Sequence, residues 1–173
     1  MIDPKTLACI GPIWTKLAGG LWHTTSLDRF TSILRSGGLD PEPAFVPEAE
    51  RWGSLGGSDT YPLVRHLGGV SLFDFSDFKI DIYTSKYIAS WSEFLPFRRS
   101  WGSSVWIGVD RNLVRESLLS AEDLLPIWKQ SDQHLRRNWM PGIEAGHLGR
   151  IPVAAFTEAW IVSRDDHRQL PLG

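Results

Sequence analysis

The sequence predicts an α+β domain, and three observations carry the prediction. A short strand ending in His23-Thr24-Thr25 runs directly into a capped helix. Ser104-Val105-Trp106-Ile107-Gly108-Val109 is an apolar run of strand length. Two more strand-like segments, near 143–147 and 158–163, lie toward the end of the chain.

Taken in order, residues 1–19 are mixed, with Ile13, Trp14 and Leu17 spaced for a short helical turn. The strand of residues 20–25 follows. Ser26 is suited to cap a helix, because its hydroxyl can accept a hydrogen bond from a free amide of the first turn. Leu27, Phe30, Ile33 and Leu34 then fall on one helical face, and Gly37 or Gly38 can take the left-handed conformation that ends it. Residues 39–68 carry Pro41, Pro43, Pro47, Gly53, Gly56, Gly57 and Pro62, which predicts a long loop or lid. It ends at Arg65 and His66. Residues 69–75 alternate as a strand, with Ser71, Phe73 and Phe75 on one side. Tyr87, Ile88, Trp91 and Leu95 predict a helix over 84–95. Asp110 caps a helix expected to reach about Leu118. A second begins at Ala121, and Pro126 is expected to interrupt it. Between the last two strands, Ile151 to Phe156 reads as a turn or half-helix, and the polar tail from Arg164 as exposed.

At 173 residues the chain is expected to be one domain with a sizeable core. A net charge of -2 supplies no global basic field for nonspecific nucleic-acid binding. The single cysteine, Cys9, excludes an intrachain disulfide and a cysteine-based metal cluster. The apolar runs are too short to span a membrane, and the N-terminus lacks the layout of a secretory signal, so the expectation is a cytoplasmic protein. Nine tryptophans are spread along the chain, a pattern suited to core positions with one or two lining a pocket.

There is no P-loop, Rossmann fingerprint, zinc helix or nucleophile elbow. His23, His66, His134, His147 and His167 lack the paired spacing of metal ligands, so no metal is expected. What remains is His23 at a strand end beside a helix N-terminus, a setting that attracts anions, and Glu144 between Ile143 and Ala145. A carboxylate in an apolar strand costs free energy unless something pairs with it, which makes Glu144 a site candidate. Gly146 suggests room for a ligand beside it, and Glu158 is the competing carboxylate.

Residues 21–41, 69–75 and 143–162 together resemble the ADP-ribosyltransferase fold, and are similar to bacterial toxins of the DarT-like, DNA-targeting and diphtheria-toxin groups. The first segment resembles the family's strand-borne His-x-Thr, the second its aromatic or hydroxyl motif, and the third its catalytic Glu strand. The resemblance implies a split β-sheet core with flanking helices and NAD as substrate. It implies that Glu144 binds the 2′-hydroxyl of the reacting ribose and stabilises an oxocarbenium-like transition state. His23 would hold a ribose hydroxyl, and the backbone near Thr24 and Thr25 the nicotinamide amide. Arg65 would hold the pyrophosphate, while Phe73, Phe75 or Tyr87 stack on the nicotinamide and Ser71 supplies a hydroxyl. It also implies a macromolecular acceptor, nucleic acid or protein, a bacterial toxin or defence role, and an antitoxin or immunity protein as partner. Two positions depart from the pattern. Phenylalanines stand where the second motif usually has tyrosine, and Gly142 stands where arginine-directed transferases carry an acidic or Gln partner. The residues leave open a non-catalytic binding module using 39–68, a ribonuclease using His23 and His147 as acid and base, and an RNA 2′-phosphotransferase.

Overall fold

A computed structural model describes residues 12–47, 50, 61–79, 102–131, 139–163 and 166–173. Helix α1 covers residues 12–17. It is followed by β1 (Leu21–Thr25), α2 (Leu27–Ser36), β2 (Gly38–Leu39), α3 (Leu63–His66), β3 (Gly69–Asp74) and β4 (Ser103–Val109). Then come α4 (Arg111–Val114), β5 (Leu118–Leu119), α5 (Ala121–Gln130), β6 (Glu144–Leu148), β7 (Ile151–Pro152), β8 (Phe156–Ser163) and β9 (His167–Leu170). Seven strands form one antiparallel sheet in the order β5-β6-β3-β1-β4-β8-β9, while β2 and β7 pair separately. The architecture is α+β, as the sequence predicts.

Both faces of the sheet centre are covered. Alternate residues of one strand therefore enter different cores, which is why these strands read as continuous apolar runs. Leu21, Leu72, Val105 and Ile107 pack with Phe30 and Ile33 of α2 on one face. Trp22, Phe73 and Trp106 pack with Ile13 and Leu17 of α1 on the other. Helix α2 has the expected ends. The Ser26 side chain accepts from the Arg29 amide, and Gly37, at φ 84°, sends its N–H back to Ile33 and Leu34.

Pairing between β1 and β3 covers only Leu21↔Asp74 and Trp22↔Phe73. On their outer sides, β1 pairs with β4 over four residues and β3 with β6 over five. The sheet is thus thinly joined along one line, and beyond Trp22 a side chain takes over from the backbone ladder. That side chain is His23, whose Nδ1 lies 3.0 Å from the Ser71 carbonyl oxygen.

Several expectations change. Helix α5 runs through Pro126, because a Ser120–Asp123 capping box fixes its start and Leu124 anchors it in a third core with Leu63, Val64 and Trp139. The helix after Asp110 lasts one turn, becomes 3-10 over Arg115–Ser117 and gives way to β5, which pairs with β6. The polar tail is mostly exposed, as expected, but its residues 167–170 also form the edge strand β9, paired with β8 through the backbone. Among its described residues the segment 39–68 begins with the last residue of β2 and contains the one-turn helix α3. The helix expected over 84–95 lies outside the described residues.

Gly146 is a packing position rather than a ligand opening. A Cβ there would sit 2.7 Å from both Cγ atoms of Val64, on the helix α3 that covers β6. Gly146→Ala is expected to destabilise the protein by about 1–3 kcal/mol. Denaturant unfolding should show a smaller loss when the same change is made in a Val64→Ala background.

Candidate functional site

The site is built where β1, β3 and β6 lie side by side, and Ser71 on β3 is its centre. Its backbone carbonyl accepts from the His23 ring, and its hydroxyl donates to Glu144 Oε1 at 3.2 Å. Glu144 Oε2 accepts the Met140 backbone N–H at 3.0 Å. The second bond follows from local sequence. Met140-Pro141-Gly142-Ile143 forms a tight turn closed by Ile143 N–H to Met140 O, with Gly142 at φ 74°. Proline then glycine at the central positions is the pattern of a type II turn, whose third residue needs positive φ. The turn folds the Met140 amide back over the first residue of β6.

Glu144 is buried, at 4% exposure. Burial pushes its carboxyl up to about 7, against the smaller opposing pull of the Met140 and Ser71 hydrogen bonds. Near neutrality the group therefore exists in both protonation states. The His23 ring is held below its usual value, chiefly by burial and also by the charge of Arg29, while its bond to Ser71 pulls the other way. Because a carbonyl can only accept, Nδ1 carries the proton of the neutral ring. Nε2 is then left with a lone pair, ready to accept from a hydroxyl.

The predicted residues divide into groups. His23, Ser71 and Glu144 are joined in series. Thr24 lies next to His23, opposite Trp106 in the β1–β4 ladder, and Thr25 is buried opposite Val105. Phe73 and Phe75 sit in the core, with ring centroids 5.0 Å from Trp106 and 5.2 Å from Trp14 respectively. Arg65 reaches Glu42 at 3.0 Å and stacks over Tyr61 at 3.8 Å, so it ties α3 to the segment before it. Tyr87 lies outside the described residues. Glu158 stands on β8, three strands from β3, and accepts from the Trp160 indole at 2.7 Å. His147 is buried on β6, with Nδ1 3.3 Å from the Gly149 carbonyl. No group of three or more His, Cys, Asp or Glu among the described residues could hold a metal ion, and no described helix is long and apolar enough to cross a membrane.

Sequence reasoning missed the Met140 amide, although the Pro-Gly pair before Glu144 signals the turn that aims it. It also missed several enclosed polar atoms that have no hydrogen-bond partner among the described residues, Thr24 Oγ1, Trp106 Nε1 and Trp139 Nε1 among them. Nothing in a strand pattern reveals an unsatisfied indole.

The arrangement can hold one negative charge in a dry position, with its two oxygens fixed by different strands of support. Such a charge stabilises a cation that forms beside it far better than a solvated carboxylate would.

The Glu144 environment also predicts a pH dependence of stability. An unfolded glutamate loses its proton near 4.5, whereas the folded Glu144 loses it near 7. Between those values the native state binds the proton that the unfolded chain has released, so this contribution to stability falls as pH rises. The loss amounts to roughly 3 kcal/mol once pH exceeds 7. His23 acts in the opposite direction, because its lowered value makes folding more favourable as pH rises toward the ordinary histidine range. The difference between wild type and Glu144→Gln isolates the carboxyl. The amide can still accept from Met140 and donate to Ser71, so Glu144→Gln is expected to be more stable than wild type at pH 8 and to lose that advantage by pH 5. Parallel stability curves from pH 5 to 8 would contradict the assignment.

Compared with known proteins, the chain matches no family model, no curated protein and no solved structure.

Proposed function

We propose that the protein is an NAD-dependent ADP-ribosyltransferase. The single observation that carries the reading is the chain of hydrogen bonds His23–Ser71–Glu144. It joins the three segments in which the resemblance to that family lies, now adjacent as β1, β3 and β6. The finer reading of the fold, a split sheet of the ADP-ribosyltransferase kind, is supported by the short pairing between β1 and β3.

In this reading His23 Nε2 accepts a hydrogen bond from a ribose hydroxyl of NAD. The ionised Glu144 accepts from the 2′-hydroxyl of the other ribose and faces the carbon that bears nicotinamide. The bond from that carbon to the nicotinamide nitrogen breaks, and its electron pair leaves with nicotinamide. Positive charge develops on the ribose as this happens, so a fixed carboxylate favours the transition state over the ground state. A nucleophile of the acceptor then bonds to the same carbon and gives up its proton. Ser71 acts as a positioning residue, holding the carboxylate and the imidazole in fixed relation. The acceptor is a macromolecule, nucleic acid or protein, and the setting a bacterial toxin or defence system with an antitoxin or immunity partner. No membrane is involved, and the cytoplasm is the site of action.

Incubation with NAD should release nicotinamide, and Glu144→Gln should lower the rate by about 100-fold or more. Equal release by the two proteins would remove Glu144 from the reaction. Because the ionised carboxylate is the active form, the rate should rise with pH through about 7. Ser71→Ala removes a hydrogen bond that favours ionisation, so its pH profile should move to higher pH. An unmoved profile would show that Ser71 does not act through Glu144.

A further inference from the structure

The Met140 amide that meets Glu144 is held from two sides. Its N–H belongs to the planar peptide unit joining Trp139 to Met140, so whatever fixes Trp139 also aims the amide. The Trp139 side chain is buried in the third core and packs on Trp128 of α5, with ring centroids 5.4 Å apart. At the other end of the turn, Ile143 is buried in the core of Trp22 and Phe73, and its carbonyl accepts from the Asp74 amide at 2.7 Å. The turn therefore spans two cores. Across it, Met140 and Glu144 are bonded twice. The Met140 carbonyl accepts the Glu144 backbone N–H at 2.9 Å, and the Met140 N–H donates to the carboxyl at 3.0 Å. Gly142 is exposed, and the positive φ of 74° is what the turn asks of it.

We infer that Trp139 and Gly142 are positioning residues for Glu144: Gly142 lets the turn close over the carboxyl, and Trp139 anchors the peptide unit whose N–H meets it. Burial pushes the Glu144 carboxyl up, and the Met140 amide pulls it back more strongly than the Ser71 hydroxyl does. The charged groups on the surrounding elements are engaged elsewhere. Arg65 of α3 reaches Glu42, Asp74 of β3 reaches Arg111, and His23 of β1 meets the Ser71 carbonyl. His66 lies beside the Tyr61 ring, and His147, three residues along β6 from Glu144, belongs to the opposite face of the sheet. Glu122, Asp123 and Lys129 stand in the first and last turns of α5. The seating of the third core is thereby coupled to the charge of Glu144, through a residue that touches no part of the carboxyl with its own side chain. The inference concerns that charge alone, so its test needs no NAD and does not share the fate of the transferase reading.

The test follows the Met140 amide resonance by NMR across a pH titration. In wild type it should shift with a midpoint near 7, and in Glu144→Gln it should not titrate. Gly142→Ala strains the turn, and Trp139→Leu keeps the third core apolar while removing the stack on Trp128. Both should raise the midpoint of Glu144, because the carboxyl stays buried and loses a donor that favours its charge. Gly142→Asn, which tolerates positive φ, should restore the wild-type midpoint. The sign separates positioning from mere packing. Loosened packing would admit water and lower the midpoint toward the ordinary glutamate value. A Met140 resonance that does not follow Glu144 in wild type would overturn the inference. So would a midpoint that is unchanged or lowered in both Gly142→Ala and Trp139→Leu.

Discussion

The structure depends on keeping one carboxyl, that of Glu144, out of water without leaving it alone. Its oxygens are met by a hydroxyl from β3 and an amide from the turn that precedes β6. Those two hydrogen bonds offset part of the desolvation cost, and the remainder appears as a carboxyl pushed up to about 7. The compensation is incomplete, and that is what makes the group useful. A fully satisfied carboxylate would be a structural ion, while an unsatisfied one would stay protonated at neutral pH.

The surrounding elements can be understood as supports for that position. Val64 of α3 packs into the space above Gly146 and covers β6. The Pro141–Gly142 turn fixes the approach of the chain to Glu144. Ser71 is shared, with its side chain turned to the carboxyl and its carbonyl to His23, so that β1 is tied to β3 where their ladder has ended. A sheet that was fully paired between β1 and β3 would have its backbone groups consumed by the ladder, leaving no free Ser71 carbonyl for a side chain. The short pairing leaves that carbonyl to His23, which is the residue that spans the join.

Much of this was legible in the sequence, for physical reasons that differ by element. The β1–α2 unit was clear because Ser26, the apolar face from Leu27 to Leu34 and Gly37 each answer a separate local requirement of a helix. Strand β4 was clear because both its faces are buried. Glu144 stood out through its apolar neighbours. Its partner Ser71 and the neighbouring His23 were named as candidates, but only the fold brings them together across strands 48 and 73 residues apart in sequence. Other features had no local signal. Strand β9 is held by backbone bonds, to which the polar side chains of residues 167–169 are indifferent. Helix α5 persists through Pro126 because its cap and its core contacts outweigh one missing hydrogen bond. Gly146 could not be told apart from a ligand opening until the position of Val64 was known.

The central claim, that Glu144 is a desolvated carboxyl poised to change charge near neutrality, is most directly tested by infrared difference spectroscopy of the wild type against Glu144→Gln across a pH titration. The account predicts a protonated-carboxyl band specific to the wild type that disappears with a midpoint near 7. A midpoint in the ordinary glutamate range, near 4.5, would mean that the carboxyl is solvated, and the account of the site would fail.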